Sequence, residues 1–131
     1  MKHHLVYGIL VFFTAIAQAS ECTPVGLLAD IAQMRELLVT PTPEHVRKFL
    51  STYTDQVELN RHLAEEKINL DTIVNNLIKN SDKLGLLTAT LAEIRSETFD
   101  AGPDAQRLSF KPTVGRPVEF VYLQGNWTIK N

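Results

Sequence analysis

Glu58, His62 and Glu65 stand four and three residues apart, so a helix would carry all three on one face. Two carboxylates and an imidazole at that spacing can bind a divalent metal. Arg61, Glu66 and Lys67 crowd the same stretch, however, and no fourth ligand is suggested. The expected state of the trio is a solvated charged face without a metal. Nucleophilic chemistry has less to build on. Only His45 and His62 lie outside the N-terminal apolar stretch, and no Gly-x-Ser-x-Gly elbow or glycine-rich phosphate loop occurs. Cys22 is the one cysteine, so no internal disulfide can form, and a chain end expected to be flexible is a poor setting for an activated thiol. No cofactor and no catalytic residue are expected, and the chain reads as a non-enzyme.

The leading stretch reads as an export signal. Lys2, His3 and His4 give a basic start, residues 5–17 are apolar without a charge, and Ala17-Gln18-Ala19 has the small-x-small form of a cleavage site. The apolar run is too short to favour a membrane span. Lipidation of Cys22 is disfavoured because Glu21, not a small residue, precedes it. The expected organisation is a signal peptide over 1–19 and a single domain over 20–131, with no membrane anchor after cleavage. Without Lys2 the chain holds twelve Lys and Arg against fifteen Asp and Glu, a net charge near −3. A mildly acidic chain without a basic tract is a poor nucleic-acid ligand.

Helical spacing governs the next seventy residues. Between Val25 and Leu38, Leu27, Leu28, Ile31, Met34, Leu37 and Leu38 form an apolar stripe, leaving Asp30, Gln33, Arg35 and Glu36 to solvent. Thr42-Pro43-Glu44 starts a second helix with an N-cap, a proline suited to the first turn and an acid at the positive end. Its expected stripe is Val46, Phe49, Leu50, Tyr53 and Val57. Helix continues from Leu59 to Lys79 with a break near Asn69, and Leu70, Ile73, Val74, Leu77 and Ile78 make the cleanest stripe. Ser81 is the expected cap of a last helix that faces inward with Leu84, Leu87, Leu91 and Ile94 or Arg95.

Near Ser96 the character changes to strand. Residues 97–100 suit a short strand, 105–111 alternate with Leu108 and Phe110 inward, and Pro117 to Lys130 is rich in β-branched and aromatic residues. That last run is broken once, at Gln124-Gly125, as a two-residue hairpin turn would break it. The turn sets Leu123 opposite Asn126, Tyr122 opposite Trp127, Val121 opposite Thr128, Phe120 opposite Ile129 and Glu119 opposite Lys130. Val118, Phe120, Tyr122, Trp127 and Ile129 then share one face. Helices followed by such strands predict an α+β fold, with N-terminal helices packed on a small C-terminal antiparallel sheet of three to four strands.

The order of elements from Thr42-Pro43-Glu44 to Phe120-Val-Tyr-Leu-Gln-Gly-Asn-Trp-Thr-Ile129 resembles small exported bacterial proteins of the nuclear-transport-factor-two-like, cone-fold superfamily. The resemblance spans about Thr42 to Asn131. It departs from the usual pattern in its small sheet and in the extra helix over 25–38, so a cone pocket would be shallow or absent. What the resemblance implies is a cavity between helices and sheet. Cone-fold isomerases use a pocket Asp with a Tyr hydrogen-bond donor. Tyr53 and Asp55 are close in sequence here, but no catalytic motif of that family aligns, and Tyr53 reads as core packing with its hydroxyl at the rim.

The leading functional expectation is a small soluble exported protein, periplasmic or secreted, that works by binding through the sheet or the groove between sheet and helices. Tyr53, Tyr122 and Trp127 are the candidate contact residues. The expected partner is another envelope or secreted protein, including a toxin that the chain neutralises as an immunity protein. The alternative is a cone-fold enzyme or ligand-binding protein using Tyr53 and a nearby carboxylate. A third reading is an assembly role with Cys22 tethering a partner.

Overall fold

The computed structural model of the chain describes residues 20–95 and 98–130. The expected signal at 1–19 lies outside them, as do Glu97, where the first strand is expected to begin, and Asn131. Among the described residues five helices precede four strands: α1 Pro24–Val39, α2 Pro43–Tyr53, α3 Gln56–Glu66, α4 Leu70–Lys79, α5 Ser81–Glu93, β1 Asp100–Ala101, β2 Arg107–Phe110, β3 Val118–Leu123 and β4 Asn126–Lys130. The strands form one antiparallel sheet in the order β1-β2-β3-β4. This is the expected α+β arrangement of helices on a small sheet.

The helices start where side chains can satisfy their first amides. Thr23 and Thr42 each accept from an amide three residues on, Gly26 at 3.0 Å and His45 at 3.2 Å, and each is followed by proline. Asn69 caps α4 through Thr72 N–H at 2.9 Å. Asp55 accepts from Val57 and Glu58 N–H at the start of α3. That cap overturns one expectation: α2 stops at Tyr53, so Val46, Phe49, Leu50 and Tyr53 are buried while Val57 is 71% exposed. The last helix departs by one residue, since Asn80 rather than Ser81 is its N-cap position and makes no side-chain capping bond.

The hairpin matches its expected register pair for pair, from Glu119 opposite Lys130 to Leu123 opposite Asn126. Gln124 and Gly125 hold φ of 52° and 86°, the left-handed pair that a primed two-residue turn requires. Because Tyr122 and Trp127 form a non-hydrogen-bonded pair, their rings meet edge to face at 5.5 Å on the helix side of the sheet. Trp127 and Phe120 are wholly buried, together with Leu27, Met34, Val46, Val74 and Leu91 from four helices. Helices α1 and α2 lie against β4, α5 against α1, and α4 bridges α2 and α5. Helix α3 buries no residue fully.

Neither sheet edge is left as a long open ladder. β1 is two residues long. At β4 the outward amide of Trp127 donates to the Asp30 carboxylate at 2.9 Å, and Ile129 makes a parallel bridge to Thr54.

Truncating Trp127 to Ala should cost about 3–5 kcal/mol, read as a lowered urea midpoint. Val57→Ala should stay within about 0.5 kcal/mol of the parent. Gly85 sits in α5 with no other part of the chain within 4 Å of where a methyl group would project. Gly85→Ala should therefore stabilise by up to about 1 kcal/mol in the same titration.

Candidate functional site

The residues before α1 form a strap across the hairpin turn. Ser20 N–H donates to the Gly125 carbonyl at 2.9 Å, and Tyr122 hydroxyl donates to the Ser20 carbonyl at 2.6 Å. Trp127 Nε1–H donates to the Glu21 carbonyl at 2.9 Å, and Cys22 Sγ lies 3.5 Å from the Ala105 carbonyl. Cys22 is therefore half-buried in a strapped segment, not in the flexible end that its position suggests. Gly26 is what lets the strap lie down: a Cβ there would fall 1.9 Å from the Glu21 carbonyl oxygen.

Asp30 ties the strap to the sheet. It is 5% exposed, and its Oδ2 accepts from Ser20 Oγ at 2.5 Å and from Trp127 N–H at 2.9 Å. The apolar stripe alone leaves Asp30 to solvent, and the structure corrects that. The signal was available, because Asp30 falls between Leu27 and Met34 on the face that α1 buries. Among the described residues the ion pairs are Arg47–Asp71, Arg61–Glu58, Arg61–Glu65 and Arg107–Asp104, so Asp30 has no cationic partner there.

Between the strap, α1, α2 and the hairpin turn lies an open cleft of about 870 Å³. Asp30, Gln33, Lys48, Thr52, Tyr53 and Asn126 are among its lining residues, which makes it polar as well as concave. A smaller hollow of about 380 Å³ shares Thr52, Gln124 and Asn126 with it and continues past Thr54 and Gln56 to Thr128. Together they form a groove around the tip of the hairpin and the end of α2.

Tyr53 lines this cleft, its ring tilted against that of Phe49 with centroids 6.2 Å apart. Burial, then the negative Asp30, pushes its phenol above the usual tyrosine range. The group is held neutral and able to donate a hydrogen bond. Asp55, its neighbour in sequence, is spent on the α3 cap. The carboxylate that reaches Tyr53 electrostatically is Asp30, from another helix. Tyr122 is half-buried and holds the strap, whereas Trp127 is fully buried and has no surface to offer a partner.

The metal candidates resolve differently. Arg61 donates to Glu58 at 2.5 Å and to Glu65 at 2.8 Å, and these hydrogen bonds hold its guanidinium further above its already high range. Both carboxylates are thus committed to a cation on their own helix. Among the described residues no group of three or more His, Cys, Asp or Glu is placed to hold a metal ion. No helix among them is long and apolar enough to cross a membrane. No protein family, characterised protein or solved structure matches the chain.

Gly26→Ala should lift the strap at a cost of about 1–3 kcal/mol. Trp127 is the only tryptophan, so its fluorescence should shift to the red in the same variant. Asp30→Ala should lose about 1–3 kcal/mol by leaving the buried Trp127 amide unpaired, seen as faster hydrogen exchange at that amide. In a spectrophotometric titration Tyr53 should ionise above its ordinary value of about 10, and Asp30→Asn should bring the midpoint down. Since the folded state holds this proton more tightly, the associated stability is present below about pH 10 and is lost as pH rises through the folded value.

Proposed function

We propose that this chain is an exported protein of the bacterial envelope that acts by binding a protein partner at the groove around the hairpin tip, without catalysing a reaction. The observation that carries the reading is the groove itself: an open, polar concavity lined by the strap, α1, α2 and the hairpin tip, with the strap, α1 and the hairpin joined by hydrogen bonds at Asp30. Amide, hydroxyl and ammonium side chains suit the polar rim of a protein interface better than they suit an enclosed small-molecule cavity. The capped edge of β4 points to recognition by side chains and not by strand addition. Export is supported by the basic-apolar-small pattern of residues 1–19. Neutralisation of a toxin and assistance to an envelope assembly are both uses of such a groove.

Kinship with the cone-fold proteins belongs to the same proposal, and what supports it is the order of helices before a sheet that ends in the Trp-bearing hairpin. The enzyme alternative has one observation in its favour, a neutral Tyr53 phenol near the Asp30 carboxylate. Against it, Asp30 already receives two hydrogen bonds and Asp55 is committed to a helix start.

The test is capture of partners from periplasm with the wild-type protein and with a Gln33→Arg/Lys48→Glu double variant. Both positions are exposed and line the groove. A protein recovered by the wild type should bind the variant at least about tenfold more weakly, with the melting temperature unchanged. Equal binding by the two proteins would move the interface elsewhere, and repeated recovery of nothing would remove the reading.

A further inference from the structure

Ser20 is the first residue after the Ala17-Gln18-Ala19 cleavage pattern, and it is also the residue that closes the strap. Its nitrogen lies 2.9 Å from the Gly125 carbonyl, and its hydroxyl lies 2.5 Å from Asp30 Oδ2. The backbone nitrogen is therefore one serine side chain away from a carboxylate that is 5% exposed. That carboxylate has only neutral donors and no ion pair among the described residues. A buried carboxylate is costly without a counter-charge. Hydrolysis of the Ala19–Ser20 amide adds water across the bond, leaving a carboxylate on Ala19 and a protonated amine on Ser20. The missing positive charge would thereby arise at the place where Asp30 lacks one.

We propose that the Ala19–Ser20 bond is a processing site whose product, the Ser20 α-ammonium, docks on the Gly125 carbonyl and pairs with Asp30, so that export and completion of the fold are coupled. The inference rests on the export part of the proposed function and is independent of any partner. Other charged or titratable side chains bordering the site are Glu21 on the strap, Lys48 and Tyr53 on α2, and Tyr122 on β3. Lys48 lines the same cleft without forming an ion pair with Asp30, which leaves the carboxylate available to the new terminus.

The first measurement is the intact mass of the full chain after export from a bacterial host, which should correspond to residues 20–131. A cut elsewhere, or none, overturns the site. The second uses Cys22 as a ligation point. A Ser20-Glu21 thioester, with its amine free or acetylated, is joined to a chain beginning at Cys22, in the wild-type sequence and with Asp30→Asn. Acetylation should lower the melting temperature by about 5 °C or more in the wild type and by almost nothing in Asp30→Asn. Equal melting of the two wild-type forms, or the same gap in both backgrounds, would refute the pairing. Should Asp30→Asn not fold, the wild-type pair is decided by an ¹⁵N-labelled Ser20. Its amine should titrate clearly above the ordinary range of about 7.7–8.0, and an ordinary midpoint refutes the pairing. Export failure shows in the mass alone, so it is distinguishable from failure of the docking.

Discussion

A carboxylate can be buried only where fixed donors replace its water, and Asp30 draws those donors from two distant parts of the chain. Ser20 approaches from the strap and the Trp127 amide from the outer edge of β4. Each of these bonds to a charged acceptor is of the order of 1.5–3 kcal/mol, comparable to burying a large aliphatic side chain. The strap, the first helix and the sheet edge are consequently interdependent. With the strap displaced, Asp30 loses a donor and the Trp127 indole loses the Glu21 carbonyl. With Asp30 removed, the outer edge of β4 presents an unpaired amide beside a polar groove. This joint links α1 to the hairpin beside the cleft that both of them line.

The hairpin was legible in the sequence because everything that fixes it is local. Two turn residues able to take positive φ and a strict alternation on either side admit one register, and a slip would turn Trp127 outward. The helical stripes were legible for the same reason, being periodic over ten residues or more. Boundaries were less so. Val57 continues the spacing of Phe49 and Tyr53, yet Asp55 captures two amides and restarts the helix before the stripe can continue. The capping preference was present in the residue type, but an apolar pattern running through it concealed it.

The site was harder to read because its parts meet only in the folded chain. Asp30 passes for an exposed acid by residue type although its helix position lies on the buried face, and Cys22 passes for a loose end until Gly26 leaves room for the strap. Tyr53 does lie near a carboxylate, but that partner is on α1 and not two residues downstream. Trp127 attracts notice as a contact residue by its size, and the same size puts it in the core. Glu58, His62 and Glu65 do share a helix, and Arg61 between them takes both acids.

Helix α3 stands apart from this network. It is closed at one end by Asp55 and at the other by Lys67 in a left-handed conformation, it buries no residue fully, and its ion pairs are internal. Its ties to the rest are few: Leu59 lies half-buried against the core, and Gln56 Nε2 donates to the Leu50 carbonyl at 2.9 Å. Such a segment tolerates rewriting, lengthening or the grafting of a reporter with little consequence for the rest. Its far end, toward Glu66, is the place to attach a label, because Gln56 and Val57 at its start line the groove.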